Sequence, residues 1–104
     1  MNDERLTEEL AWRVMGWVVV PHRFLTGKRG WMPRWRFRPA TSLEDAFRLL
    51  DAAKPQRYSM GALGKGPFRV RVEIAGNTGQ AQKTSRPRAV TYAVARALRL
   101  RVDE

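Results

Sequence analysis

The chain contains no cysteine. Disulfide staples, thiolate metal sites and thiol nucleophiles are therefore excluded. Histidine occurs once, at His22. A transition-metal site would have to be built almost entirely from carboxylates, and none is expected. The longest apolar run, Gly16 to Pro21, is far too short to cross a bilayer. The N-terminal stretch MNDERLTEEL is polar and acidic and lacks the basic start and apolar core of a signal peptide. The expectation is a cytoplasmic protein with no membrane partner.

Acids are scarce as well. Ten face twenty basic residues, giving a net charge of +10, and sixteen of the twenty are arginine. A field of this size favours anionic partners: nucleic acid, nucleotides or an acidic protein. A GC-rich genome that inflates arginine without any ligand is the competing explanation. The charge is unevenly spread. Seven of the ten acids lie within residues 3–9 and 44–51, whereas six bases and no acid lie between Pro21 and Pro39. At 104 residues and 43% apolar content, the chain suits a single domain, 1–104, with one core.

Hydrophobic spacing locates the elements. Leu6, Leu10, Val14 and Trp17 form one stripe of a helix spanning Leu6 to Trp17, with Asp3, Glu4, Glu8 and Glu9 at its favoured negative end. Val18 to Val20 reads as a short strand, and His22 to Gly30 as a loop. From Trp31 to Arg38 the residues alternate. Trp31, Pro33, Trp35 and Phe37 fall on one side and Arg34, Arg36 and Arg38 on the other, the pattern of a strand. Ser42 caps a helix with Asp45 three residues on, carried by Leu43, Ala46, Phe47, Leu50 and Ala53 and stopped by Pro55.

Arg57 to Leu63 forms a weaker strand and Gly61 to Pro67 a turn. Phe68 to Ala75 alternates again, with Arg69, Arg71 and Glu73 facing outward. Gly76 to Gly79 signals a hairpin, returning through Gln80 to Thr84. Ser85 and Pro87 open a last helix that buries Val90, Val94, Ala97 and Leu98. Its other side presents Arg88, Tyr92, Arg96 and Arg99. The order is α-β-β-α-β-β-β-α. The fold class is α+β: a largely antiparallel sheet of four to five strands packed with three helices.

Three stretches together resemble the phage ABA sandwich domain family of small phage and prophage proteins. These are Met15-Gly16-Trp17 at the end of the first helix, the Thr41 to Phe47 segment opening the second, and the Ala-rich closing helix Ala89 to Leu98. The similarity runs over roughly residues 6–100, and its motifs are structural. It implies an α/β/α sandwich-like fold with helices on both sheet faces, in the cytoplasm of a host cell. It brings no transferable activity, and this chain is much richer in arginine than such domains.

No catalytic constellation emerges. Thr26 to Gly30 and Gly61 to Gly66 both contain Gly-Lys, but neither matches a phosphate-binding P-loop. Ser42, Ser59 and Ser85 have no evident base, and His22 is a loop histidine. No enzyme activity and no cofactor are expected. Anion binding is expected from Lys28, Arg29, Arg34, Arg36, Arg38, Arg69, Arg71, Arg88, Arg96 and Arg99.

Two arrangements follow from the alternation. If the strands are neighbours, Arg34, Arg36, Arg38, Arg69 and Arg71 share an open face. If a helix covers that face, acids such as Glu8, Glu9 or Asp51 pair with them. The anion site then moves to Lys28–Arg34 and to Arg88, Arg96 and Arg99. Trp35 and Phe37 are expected in the core, and Trp31 and Tyr92 as aromatic contacts.

Three functions fit: a phage or prophage accessory protein binding nucleic acid, an oligomer sequestering a small nucleotide such as a host defence signal, or a module docking on an acidic protein. A homo-oligomer is compatible with each.

Overall fold

The structure, a computed structural model, describes residues 2–27, 29–62 and 64–102. Its elements are α1 (Asp3–Arg13), β1 (Val18–Val20), β2 (Arg23–Leu25), β3 (Trp31–Pro33), a 3-10 turn (Arg34–Arg36), α2 (Leu43–Ala53), β4 (Arg57–Ala62), β5 (Phe68–Ile74), β6 (Asn77–Lys83) and α3 (Arg86–Ala97). The class is α+β with antiparallel pairing throughout, as the alternation and short links imply. Among the described residues the strands number six and divide into two three-stranded sheets, β1-β2-β3 and β4-β5-β6. The extra strand is β2, inside the stretch expected to be a loop.

Local chemistry explains most of the boundaries. The Asn2 side chain accepts from the Arg5 amide and caps α1. The helix ends at Arg13 rather than running on to Trp17. Gly16 adopts a left-handed conformation (φ 73°), and the Trp17 amide donates to the Ala11 carbonyl. Val14 and Trp17 still pack on the core from beyond the helix. Ser42 caps α2 by accepting from the Asp45 amide, and the buried Asp45 carboxylate accepts from the Arg38 amide. Lys54 closes α2 in the left-handed region just before Pro55.

The hairpin between β5 and β6 turns at Ala75 and Gly76, both at positive φ (50° and 81°). Ile74 pairs with Asn77, so the tip lies earlier than the Gly-Asn-Thr-Gly stretch suggests. Two-residue hairpin loops need this mirror-image backbone to match strand twist.

The core has two parts. Trp17, Phe24 and Phe37 pack ring against ring, with centroids 4.9 to 6.0 Å apart, and tie the end of α1 to β2 and the chain beyond the 3-10 turn. The second part surrounds α3, which is buried on nearly every side from Ala89 to Ala95. One flank of α3 packs on β5 and β6 and another on α2. Small side chains on α3 allow this close approach, and Gly79 of β6 lies directly under Ala93 and Ala97.

The second sheet has one covered face. Val70, Val72, Gly79 and Ala81 are buried on the α3 side, whereas Arg57, Ser59, Arg69, Arg71, Thr78, Gln80 and Gln82 of the opposite face are exposed. Helices on both faces, the arrangement implied by the sandwich resemblance, do not describe this sheet.

Candidate cationic surface

The register of the second sheet builds the surface directly. Arg57 lies opposite Glu73, Ser59 opposite Arg71 and Gly61 opposite Arg69. Across the other ladder, Arg69 faces Gln82, Arg71 faces Gln80 and Glu73 faces Thr78. Directly opposed residues point to the same face. Three arginines thus share a flat polar surface with neutral hydrogen-bonding side chains and one half-buried acid, Glu73. Arg69 donates to the Gln82 carbonyl oxygen at 3.3 Å. Among the described residues, none of Arg57, Arg69 and Arg71 forms an ion pair. Their guanidinium donors face solvent, available to an incoming anion.

The five-arginine face does not form. Pro33 ends β3, and Arg34, Trp35 and Arg36 turn in a 3-10 helix instead of extending. The alternation of Trp31 to Arg38 therefore does not continue as a strand. Arg34 pairs with Glu8, donates to the Pro21 carbonyl at 3.1 Å and lies over the Phe24 ring. Arg36 stacks on Trp35. Trp35 is 65% exposed, not in the core, because the turn swings it outward; Phe37 is buried as expected. Arg38 is exposed.

Arg34 and Arg38 line a cleft of about 410 Å³ between the start of α1 and residues 34–41. Phe24 and Phe37 form its floor, Trp35 its rim, and Asp3, Glu4 and Glu8 its acidic wall.

Arg88, Arg96 and Arg99, expected on the outer side of the last helix, all bond within the chain. Arg88 pairs with Asp3 at 2.6 Å and donates to the Tyr92 hydroxyl at 2.8 Å, and that hydroxyl donates to Asp3 at 2.9 Å. Burial alone would push the Asp3 carboxyl up. The hydrogen bonds from Arg88 and Tyr92, with the nearby charges of Arg88 and Lys83, outweigh burial and hold it below its ordinary value of 3.8. Burial, and then the charges of Arg96 and Arg88, push the Lys83 ammonium down.

Tyr92 is 2% exposed, so it is no surface contact. Of the expected outer stripe only Tyr92 is buried; Arg88 and Arg96 are partly exposed and Arg99 is exposed. Arg96 donates to the Gln80 carbonyl and Arg99 to the Asn77 side chain, fastening α3 to β6.

Of the remaining expected contacts, Arg29 is exposed and Lys28 lies outside the described residues. Trp31 is exposed, with Arg23 over its ring at 5.6 Å. Two residues were missed. Arg57 completes the cationic face, and its period-two spacing with Ser59 was the available signal. Trp12 projects from α1 at 63% exposure.

Among the described residues, no group of three or more His, Asp or Glu side chains could hold a metal ion. Among the same residues, no helix is long and apolar enough to cross a membrane.

Comparison with solved structures gives a likeness of fold. No family model and no curated protein matches the chain. A phage protein from Bacillus cereus ATCC 14579, known from its crystal structure, superposes with a TM-score of 0.77. The match covers 99% of this chain and 93% of that one at 12% identity. It is a likeness of fold.

Proposed function

We propose that this chain is a phage or prophage accessory protein of the ABA sandwich kind, a binding module and not an enzyme, whose second sheet holds a polyanion, nucleic acid first. The observation that carries this reading is the open face of Arg57, Arg69 and Arg71. Arg57 has Glu73 opposite it, whereas Arg69 and Arg71 have only neutral residues opposite. The face therefore carries an excess of positive charge that a bound anion would neutralise. The likeness to a phage protein supports the phage setting.

The form of the surface determines the mode of binding. It carries no aromatic side chain on which a base could stack. Contacts would therefore go to phosphates, with little dependence on sequence. Three such contacts give a log–log salt slope of roughly −2 to −3. Fluorescence anisotropy with single- and double-stranded oligonucleotides over a salt series tests this. A slope near zero, or no binding to either, overturns it.

A second reading is favoured by the cleft beneath Trp35. Arg38 and the exposed Trp35 indole line one cavity of about 410 Å³ with room for a single nucleotide, whose phosphate would lie toward Arg38 and away from the wall of Asp3, Glu4 and Glu8. Thermal shift against a panel of mononucleotides, linear dinucleotides and cyclic dinucleotides separates it from the first. At 100 times its dissociation constant a ligand adds about 2.7 kcal/mol. A shift abolished by Trp35→Ala would select the cleft.

A further inference from the structure

Three of the four tryptophans are exposed, and two of them lie on one stripe. In the first sheet Val18 pairs with Leu25 and Leu25 with Trp31, so these three share the outer face. Val20, Arg23 and Pro33 form the next row of the same face. Trp12 extends the stripe from α1, because it and Val18 line one shallow depression with Glu8, Glu9 and Val19. The inner row, Val19, Phe24 and Met32, already supplies the core side of this sheet. Among the described residues only Arg23 lies over this row, and Val18 is 55%, Trp31 59% and Trp12 63% exposed.

We infer that a second copy of this chain docks on the Trp12–Val18–Leu25–Trp31 stripe, forming a two-fold dimer. Self-complementarity selects this occupant. The stripe has an exposed indole at one end, Trp12 beside the internally paired Glu8 and Glu9, and a cation at the other, Arg23 over Trp31. A two-fold axis brings each end onto its opposite in the other copy, as a self-complementary patch requires. Arg23 of one copy then meets the Trp12 indole of the other, a cation over an aromatic face.

The surroundings of the stripe are also locally balanced. Glu9 pairs with Arg13 and Glu8 with Arg34, whereas the cationic face of Arg57, Arg69 and Arg71 belongs to the other sheet. This is a surface on which two copies of net charge +10 can meet with limited repulsion.

The exposed area fits a weak, reversible dimer. Each exposed tryptophan leaves about 150 Å² uncovered. Trp12, Val18 and Trp31 of two copies together supply about 800 Å², and Val20, Leu25 and Pro33 extend this toward the roughly 1,200 Å² of a small specific interface. Tryptophan and arginine are the side chains most enriched among interface residues that dominate binding energy. The dimer would present two cationic faces to one polyanion, but it does not depend on nucleic-acid binding.

Sedimentation of the full chain across a concentration series, at low and high salt, tests the inference. A monomer–dimer equilibrium is expected. Salt should tighten it by screening the net repulsion, opposite in sign to the salt response of polyanion binding. Trp12→Ala and Trp31→Ala should each weaken association on the order of tenfold or more, while Arg71→Ala leaves it intact. Tryptophan emission of the unaltered protein is a check that needs no variant: it should shift to the red on dilution as Trp12 and Trp31 become exposed. A monomer at every concentration with unchanging emission overturns the inference. So does a dimer indifferent to both tryptophan substitutions.

Discussion

Gly79 of β6 sits directly beneath Ala93 of α3: a Cβ at residue 79 would lie 2.0 Å from the Ala93 carbonyl oxygen and 2.3 Å from the Ala97 amide nitrogen. Both obstacles are backbone, so neither can rotate away. The helix that organises the second core rests on the bare backbone of this one residue. Gly79→Ala should therefore force α3 off the sheet and cost about 3 kcal/mol or more, beyond the usual range for overpacking. Urea denaturation measures it. A loss below about 1 kcal/mol would show that α3 shifts freely over β6.

Ala75 presents the opposite case. Its φ of 50° puts a Cβ where only glycine and asparagine are comfortable. With Gly76 following, Ala75→Asn creates the Asn-Gly pair that two-residue hairpins prefer. The substitution should stabilise the protein by about 1 kcal/mol, read as a rise in the denaturation midpoint at unchanged slope.

The Asp3–Arg88–Tyr92 cluster makes stability depend on pH. The Asp3 carboxyl is held below its unfolded value of 3.8. Its contribution is therefore complete above that value and is lost as pH falls through the lower folded value. The side chain is 43% exposed, so solvent screening limits the effect to about 1 kcal/mol or less. Asp3→Asn should be less stable than the native chain at pH 7 and converge with it near pH 2. Equal separation of the two at both pH values would rule out this linkage.

The two sets of arginines should separate by function. Replacing Arg57, Arg69 and Arg71 with Gln should abolish most nucleic-acid affinity, flatten the salt slope and leave the melting temperature nearly unchanged. Arg88→Gln should lower the melting temperature and leave the salt slope alone, because Arg88 is committed to Asp3 and Tyr92. Matched anisotropy and melting curves for both variants read this out.

Thr91 offers a simpler check. Its hydroxyl oxygen is buried and finds no hydrogen-bond partner among the described residues. Thr91→Val removes that polar group at nearly constant volume and should stabilise the protein by about 1 kcal/mol. A loss of stability on calorimetry would show that the hydroxyl is satisfied after all.

The elements whose signals are local were legible in the sequence. Ser42 and Asp45 marked the start of α2, Pro55 its end, and the alternation of Phe68 to Ile74 gave β5 with Arg69 and Arg71 outward. Capping and period-two alternation act within a few residues, so the amino-acid order alone determined them, along with the net charge and the absence of thiol chemistry. The same alternation misled at Trp31 to Arg38, where Pro33 and the packing of Phe37 against Trp17 and Phe24 imposed a turn.

What only the tertiary structure decided was partnership across the chain. It placed Arg57 beside Arg69 and Arg71, committed Arg34 to Glu8 and Arg88 to Asp3, and buried Tyr92. Strand register and ion pairing join residues up to 85 positions apart, and side-chain spacing along one segment carries no record of which distant segment lies opposite.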